Sequence, residues 1–394
     1  MTHKKFQQML LVALFIFGES PWALESSVGM VGSQTAKSSQ AATGLLVYTK
    51  PSVAPTMYPA YRFYDIADNR TYSSYGINKT TKNYVVVHNN KTNLIEALKN
   101  ANPGDVIYVG DGAEIDMTGE RNILIPSGVT LASNGGLIHA DLDIKAAQLF
   151  LITGPNVHIT GLKFRGPGPY FEGDYDQTRL PDRVVIRNPS LVGARCITAR
   201  APVEVDNCEF WYWSYSCILL QDQKDLRSHI HHNYFHDCCG TMGYGIQIND
   251  GYPLIDYNVF DRCRHAIAGT GQEGCSYEAA YNEVRSGVCD HYSCFHSFDM
   301  HAPGEGIFLL KPFVRAGDWI EIHHNTFSWT KGPAVIIRGI PRVGASIHDN
   351  WFYHDAIGGF GTKGAVLQVN AKGHFDVFSN VLTPYKVPAK EIHY

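Results

Sequence analysis

The chain has 394 residues, 44% of them hydrophobic and 18% charged, with a formal net charge of -4 and a pI near 6.5. That length and apolar content suffice for one large core, and the near-neutral balance excludes the global basic field that nucleic acid selects. Any anionic partner must therefore be met by local basic groups.

At the amino terminus Met1-Thr-His-Lys-Lys-Phe-Gln-Gln is basic, Met9 to Gly18 is an apolar run too short to span a bilayer, and Ala23 follows among small residues. Residues 1–23 are therefore expected to be a cleaved secretory signal, with an uncleaved anchor as the competing expectation. Residues 24–43, rich in Ser, Ala and Gly, read as a flexible leader. The mature protein is expected to be secreted or periplasmic, without membrane contact; its oligomeric state is left open.

Residues 44–92 form an N-terminal extension with strand-like pieces at Leu45–Tyr48 and Tyr84–His88, and with Asn-x-Thr glycosylation sequons at Asn69, Asn78 and Asn90. Thr92 to Ala101 has helical spacing, with Thr92 as the expected cap and Pro103-Gly104 as the stop. A helix there would cover the open end of whatever begins at residue 93.

Between 207 and 380 the chain repeats an asparagine followed closely by a hydrophobe, at Asn207, Asn233, Asn258, Asn282, Asn325, Asn350 and Asn380, with gaps of 26, 25, 24, 43, 25 and 30 residues. Recurrence at this period means one supersecondary unit stacked on copies of itself. The units are strand-like, as in His229-Ile-His-His-Asn233 and Trp319-Ile-Glu-Ile-His-His-Asn325, where alternation puts Ile230, Ile320 and Ile322 inside. Residues 93–394 are thus expected to be an all-β parallel β-helix solenoid with a short N-terminal capping helix, and the asparagines to stack as an internal ladder. The run 165–190 reads as a loop thrown out of the stack.

All nine cysteines lie between 196 and 294. In an oxidising compartment, Cys238 and Cys263, each five residues past a repeat asparagine, are the expected disulfide, with Cys275, Cys289 and Cys294 offering another. A zinc site is the alternative, although no pair of CxxC motifs is present.

A second strand follows each asparagine register: Ile218–Asp222, Ile246–Asp250, Ile267–Thr270, Phe298–His301, Val335–Arg338 and Leu367–Asn370. Alternation places Ile246, Ile248, Phe298, Met300, Val335 and Ile337 inside, leaving an outward column of Gln221, Asn249, Thr270, His301, Arg338 and Asn370 beside one of Gln247, Asp299 and Gln368. A face lined this way makes a long open groove, suited to a linear polymer. The 43-residue interval supplies Asp299 and His301, and its residues 302–318 could overhang the groove, with Lys311 and Arg315 reaching an acidic substrate.

The Ile-His-His-Asn-x-Phe coils at 230–235 and 322–327 resemble those of the pectate-lyase-like family of right-handed, single-stranded parallel β-helix proteins, over roughly residues 93 to 385. Within it, His296-Ser-Phe-Asp-Met-His301 is similar to the Tyr-x-Phe-Asp-Pro-His-Asp signature of mannuronan C-5 epimerases. Asp299 and His301 match the catalytic pair, while His296, Met300 and Ala302 depart from the signature. The resemblance implies proton abstraction from a uronate.

In chemical terms, C-5 of a uronic acid becomes acidic when its carboxylate is neutralised and the developing enolate is stabilised. Arg338, with Arg264 or His265 from the preceding coil, is the expected neutraliser; His301 the base; Asp299 its orienter; and Tyr292 or Tyr277 the proton donor. Gln221, Gln247, Asn249, Asn370, Lys311 and Arg315 are expected to bind substrate.

The paired histidines His231, His232, His323 and His324 read as surface or corner residues, and no metal ligands are assigned. Oxygen donors at Asp222, Asp250 and Glu273 would suit calcium, but they form no compact motif, so no cofactor is expected, with calcium the one exception the donor chemistry allows. Trp211-Tyr-Trp213 and Tyr215 suit either sugar stacking or turn packing. The expected function is a secreted polysaccharide lyase acting on a linear acidic polysaccharide. The alternatives are a C-5 epimerase, a glycoside hydrolase on the same fold, and a non-catalytic polysaccharide-binding protein.

Overall fold

The computed structural model describes residues 84–141, 148–168, 194–224, 226–238, 242–285, 296–303, 314–328, 332–354, 356–358, 364–368 and 374–382. The expected signal, the leader, most of the extension, the sequons at Asn69 and Asn78, Tyr292, Lys311, Asn370, Cys239, Cys289 and Cys294 lie outside these residues, as does most of the expected overhang. Among the described residues, no helix is long and apolar enough to cross a membrane.

Strands from successive repeats pair in parallel into three sheets of eleven, nine and ten strands, each sheet taking one strand per coil in sequence order. This is a parallel β-helix. Every strand turns one face to a shared interior, filled by columns such as Ile218, Ile246, Ile267, Phe298 and Val335, all fully buried. Along the inner face of the ten-stranded sheet, Phe164, Phe210, Phe235 and Phe260 stack at 4.9–5.1 Å, the spacing of parallel strands. Val284 interrupts that stack, and Phe298 from the nine-stranded sheet fills the gap edge-on between Phe260 and Phe327.

The asparagine ladder is real but starts one coil later than the sequence suggests. Asn233, Asn258, Asn282, Asn325 and Asn350 are at most 1% exposed, and each takes a backbone N–H and a side-chain N–H bond onto the Oδ1 of the next asparagine, at 2.9–3.1 Å. Cys208, not Asn207, occupies the equivalent place, because Phe210 pairs with Phe235. Asn207 holds the position before the ladder, where the chain turns left-handed at φ 51°, as it does at His232, Tyr257, Tyr281, His324, Asp349 and Ser379. Gly161 fills that corner one coil earlier, where a Cβ would meet the Ser133 carbonyl oxygen at 2.0 Å.

The ladder answers for backbone groups that the corners would otherwise leave buried and unpaired. Asn258→Ala strips the acceptor from the Asn233 backbone and side-chain N–H groups and the donor from the Ile230 carbonyl. We expect a loss of about 2–4 kcal/mol, read as a lower urea midpoint, because each orphaned buried group costs about 1–3 kcal/mol.

The capping helix runs Lys91–Asn100, and Leu94 and Leu98, one turn apart on one face, are fully buried in the core. Its cap is Asn90 rather than Thr92: the Asn90 side chain accepts from the Asn93 backbone N–H at 3.2 Å. The strand Tyr84–Val87 precedes this helix and pairs in register with Val106–Val109.

The cysteine expectation is corrected. None of the six described cysteines forms a disulfide, and all are buried thiols. Cys238 Sγ lies 3.2 Å from Cys217 Sγ, and Cys263 is a neighbouring thiol rather than a disulfide partner. Equivalent residues on stacked coils point their Cβ atoms in parallel, whereas a disulfide needs them to converge.

Candidate functional site

The expected site residues gather on the outward face of the nine-stranded sheet. Backbone N–H groups of Gln221, Asn249, Thr270, His301 and Arg338 each bond to the coil before, so these five residues stand at successive rungs at the sheet's edge. In the adjoining column Gln247, Ala268, Asp299, Ile336 and Leu367 are register partners. Gln368 pairs with Ile337 and so stands in the Met300 column, not the Asp299 column.

A bulge brings further residues to this face. The small residues Gly245, Ala266 and Ser297 fall at a place where Ala266 and Ile267 both donate to the Ser297 carbonyl, and a Cβ on Gly245 would point at the Phe260 ring. That doubling leaves Tyr244 and His265 paired across the sheet with their rings stacked at 5.2 Å, and His265 stacked on His296 at 4.1 Å.

Asp299, fully buried, is the hub. Arg338, 3% exposed, reaches back one coil and forks it: Nε donates to Oδ1 at 2.9 Å and Nη2 to Oδ2 at 2.5 Å. His296 Nε2 lies 2.9 Å from the same Oδ2 and 3.0 Å from Arg338 Nη2. As a neutral imidazole it can donate to the first or accept from the second; the carboxylate charge favours donation. His265 Nδ1 donates to the His296 carbonyl at 3.2 Å, which leaves its buried Nε2 a lone pair 3.6 Å from Oδ2, without a hydrogen-bond partner. His301 Nε2 also lies 2.9 Å from Oδ2, out of line for a hydrogen bond. Of the three imidazoles, only that of His301 is substantially open to solvent, with its side chain 25% exposed.

Burial opposes charge on Asp299, but Arg338, His301 and His296 outweigh it and hold the carboxyl well below its usual range. Burial, with neighbouring positive groups, pushes His265 well below the ordinary imidazole range and His296 down to about 4. Both are therefore neutral at pH 7. Between about pH 4 and 6.5 the unfolded chain protonates His296 while the folded chain does not, so stability rises with pH across that window. Acidification from pH 7 to 4 is expected to cost about 3 kcal/mol through this residue. His296→Gln should flatten the corresponding difference between urea midpoints at pH 5 and pH 7.

No protein-family model matches the chain, and no curated protein matches it. Among solved structures the chain is similar to an alginate lyase from Paenibacillus sp. str. FPU-7, at 15% identity, covering 75% of this chain and 99% of that one, with a TM-score of 0.44. Likeness at that level speaks to neither activity nor residues.

The structure thus brings together Asp299, His301, Arg338 and His265. Arg264, 4% exposed, adjoins them by donating to the Tyr244 hydroxyl at 3.2 Å. The role expected of Arg338 changes: its guanidinium is spent on Asp299 rather than presented to a substrate. Tyr277 is a core residue, fully buried, and cannot meet substrate. Gln247 is nearly buried and donates to Asn249 Oδ1 at 3.3 Å, while Gln221 faces Arg200. Arg315 is exposed and pairs with Ile340, two residues past Arg338. Trp213 packs in the core and donates to the Phe164 carbonyl, whereas Trp211 stacks outside on His236.

His296 and Tyr244 were not among the expected site residues. Their signal lay in the small residue that follows each of them, Ser297 and Gly245, which marks the bulge. His265, His296 and Asp299 place donor atoms within 4.8 Å of one another, a metal-like grouping, but Arg338 Nη2 touches both the carboxylate and His296 and puts a positive charge where a cation would go. Asp222, Asp250 and Glu273 form no such group among the described residues; Glu273 pairs with Lys224 and Arg342, and Asp222 with Arg200.

Proposed function

We propose that the protein is a secreted, pectate-lyase-like enzyme that acts on a linear, uronate-containing polysaccharide by abstracting the C-5 proton, with β-elimination as the outcome. The observation that carries this reading is His301: a partly exposed imidazole set against a buried carboxylate that is itself fixed by Arg338. Because Nε2 is buried against Asp299, the reachable ring nitrogen is Nδ1. Asp299 then favours a proton on Nε2 and makes Nδ1 the base, and Arg338 keeps Asp299 in place. Neutralising the substrate carboxylate falls to exposed cations at the rim, with Arg315 the described candidate.

C-5 epimerisation needs the same first step and is favoured by the Asp-x-His match at Asp299 and His301. Hydrolysis is less well supported, since it calls for two carboxyl groups flanking the bond. Asp299, the carboxylate of this cluster, is already forked by an arginine. Incubation with a panel of polyuronates decides: ultraviolet absorbance from unsaturated ends reports elimination, C-5 exchange with deuterated solvent without such absorbance reports epimerisation, and the absence of both signals would overturn the enzyme reading.

A further inference from the structure

A second cluster lies on the outer face of the eleven-stranded sheet, apart from the Asp299 site. The strands Val203–Asp206, His229–His231 and Leu254–Asp256 are adjacent, with Glu204 paired to His229 and Asp206 to His231. Ile230 is fully buried, so the period of two sends both His229 and His231 outward on one strand. Sequence reading pairs His231 with His232; His232 sits in the left-handed corner with its ring turned 84° from that of His231, and its Nδ1 meets His231 Nδ1 at 2.8 Å, which leaves His231 Nε2 for the outer face. The pair that shares a face is His229 and His231.

Glu204, His229 and His231 each place one donor atom within 4.8 Å of the other two. Two imidazole nitrogens and one carboxylate oxygen are a borderline-soft set that suits zinc and its transition-metal neighbours better than calcium or magnesium. The surroundings agree. Asp256 Oδ1 lies 2.8 Å from His229 Nε2, Glu204 Oε1 lies 3.2 Å from His231 Nε2, and Asp206, held by His158 at 2.6 Å, is the register partner of His231. Carboxylates thus crowd this group, where an arginine penetrates the grouping around Asp299. The strands fix the donors, and the side chains of Glu204 and His229 are 49% and 39% exposed, which leaves an entry path.

We propose that Glu204, His229 and His231 form a surface site for a divalent transition-metal ion, with zinc the best match. The second Ile-His-His-Asn coil supplies an internal control. Its strand Trp319–His323 carries Glu321 where the first carries His229; His323 pairs with Glu278 at 3.3 Å and stacks on His348 of the next strand at 5.2 Å, and among the described residues no three donors there close to within 4.8 Å.

The test is zinc titration of the chelator-treated full chain by calorimetry, with bound metal counted by elemental analysis. The wild-type chain and His323→Ala should bind one equivalent more than His229→Ala or His231→Ala. Glu204→Gln should weaken that equivalent at least tenfold, and cobalt substitution should give a visible spectrum that the histidine variants lose. The side chains of Glu204 and His229 are largely open and those of His231 and His323 lie on the outer face at 15% exposure, outside the core, so circular dichroism is expected to show all variants folded. Polyuronate turnover, if present, should be unchanged, which separates this site from the function proposed above. Equal zinc uptake by wild type, His229→Ala and His231→Ala, or no uptake at all, would overturn the proposal.

Discussion

Asp299→Asn should cost about 3–5 kcal/mol of folding stability, the largest single loss expected of any substitution on this face. The carboxylate is fully buried, and it accepts both bonds of the Arg338 fork. Neutralising it leaves a guanidinium that is only 3% exposed without its counter-charge, and it removes the anion toward which His296 and His301 turn. The cost belongs to the stranded charge rather than to the bond, which gives a sharper test. Asp299→Leu combined with Arg338→Met removes both charges and should recover most of the stability lost by Asp299→Leu alone. Urea midpoints for the two single variants and the double variant measure this coupling. If the single variants cost less than about 1 kcal/mol, the pair behaves as a surface ion pair and its burial is not what holds the site.

The repeat made the solenoid legible, because a period near 25 residues survives any local substitution and the inward columns read directly as Ile, Val and Phe. The error at Asn207 shows the limit of that signal. Asparagine serves both in the left-handed corner and on the ladder one residue later, and only the Phe210–Phe235 pairing tells the two apart. Cys238 and Cys263 illustrate a second limit: spacing places residues on neighbouring coils but not the direction of their Cβ atoms. At the site, alternation was enough to put Asp299 and His301 on the outer face. It could not report that Arg338 folds back onto Asp299, since the rotamer of a long side chain leaves no trace in sequence. Nor could it find His296 and Tyr244, because a bulge shifts the alternation at the residues that bring them outward.

His301→Gln should lower turnover on the responsive polyuronate by about 10²–10⁴-fold, the usual worth of a positioned general base, while leaving the fold intact. The imidazole makes no aligned hydrogen bond through Nε2 and is a quarter exposed, so its replacement by a similar-sized amide orphans little. The change should therefore fall on kcat rather than on KM or on the urea midpoint, as it does when an interaction made only in the transition state is lost. Added imidazole should partly restore turnover to His301→Ala, because the vacated space opens to solvent and the missing group is a proton acceptor. Exchange at C-5 gives the decisive readout. If His301 takes that proton, elimination and exchange fall together in His301→Gln; if exchange persists while elimination stops, His301 acts instead on the departing oxygen and the base must be sought elsewhere along the groove.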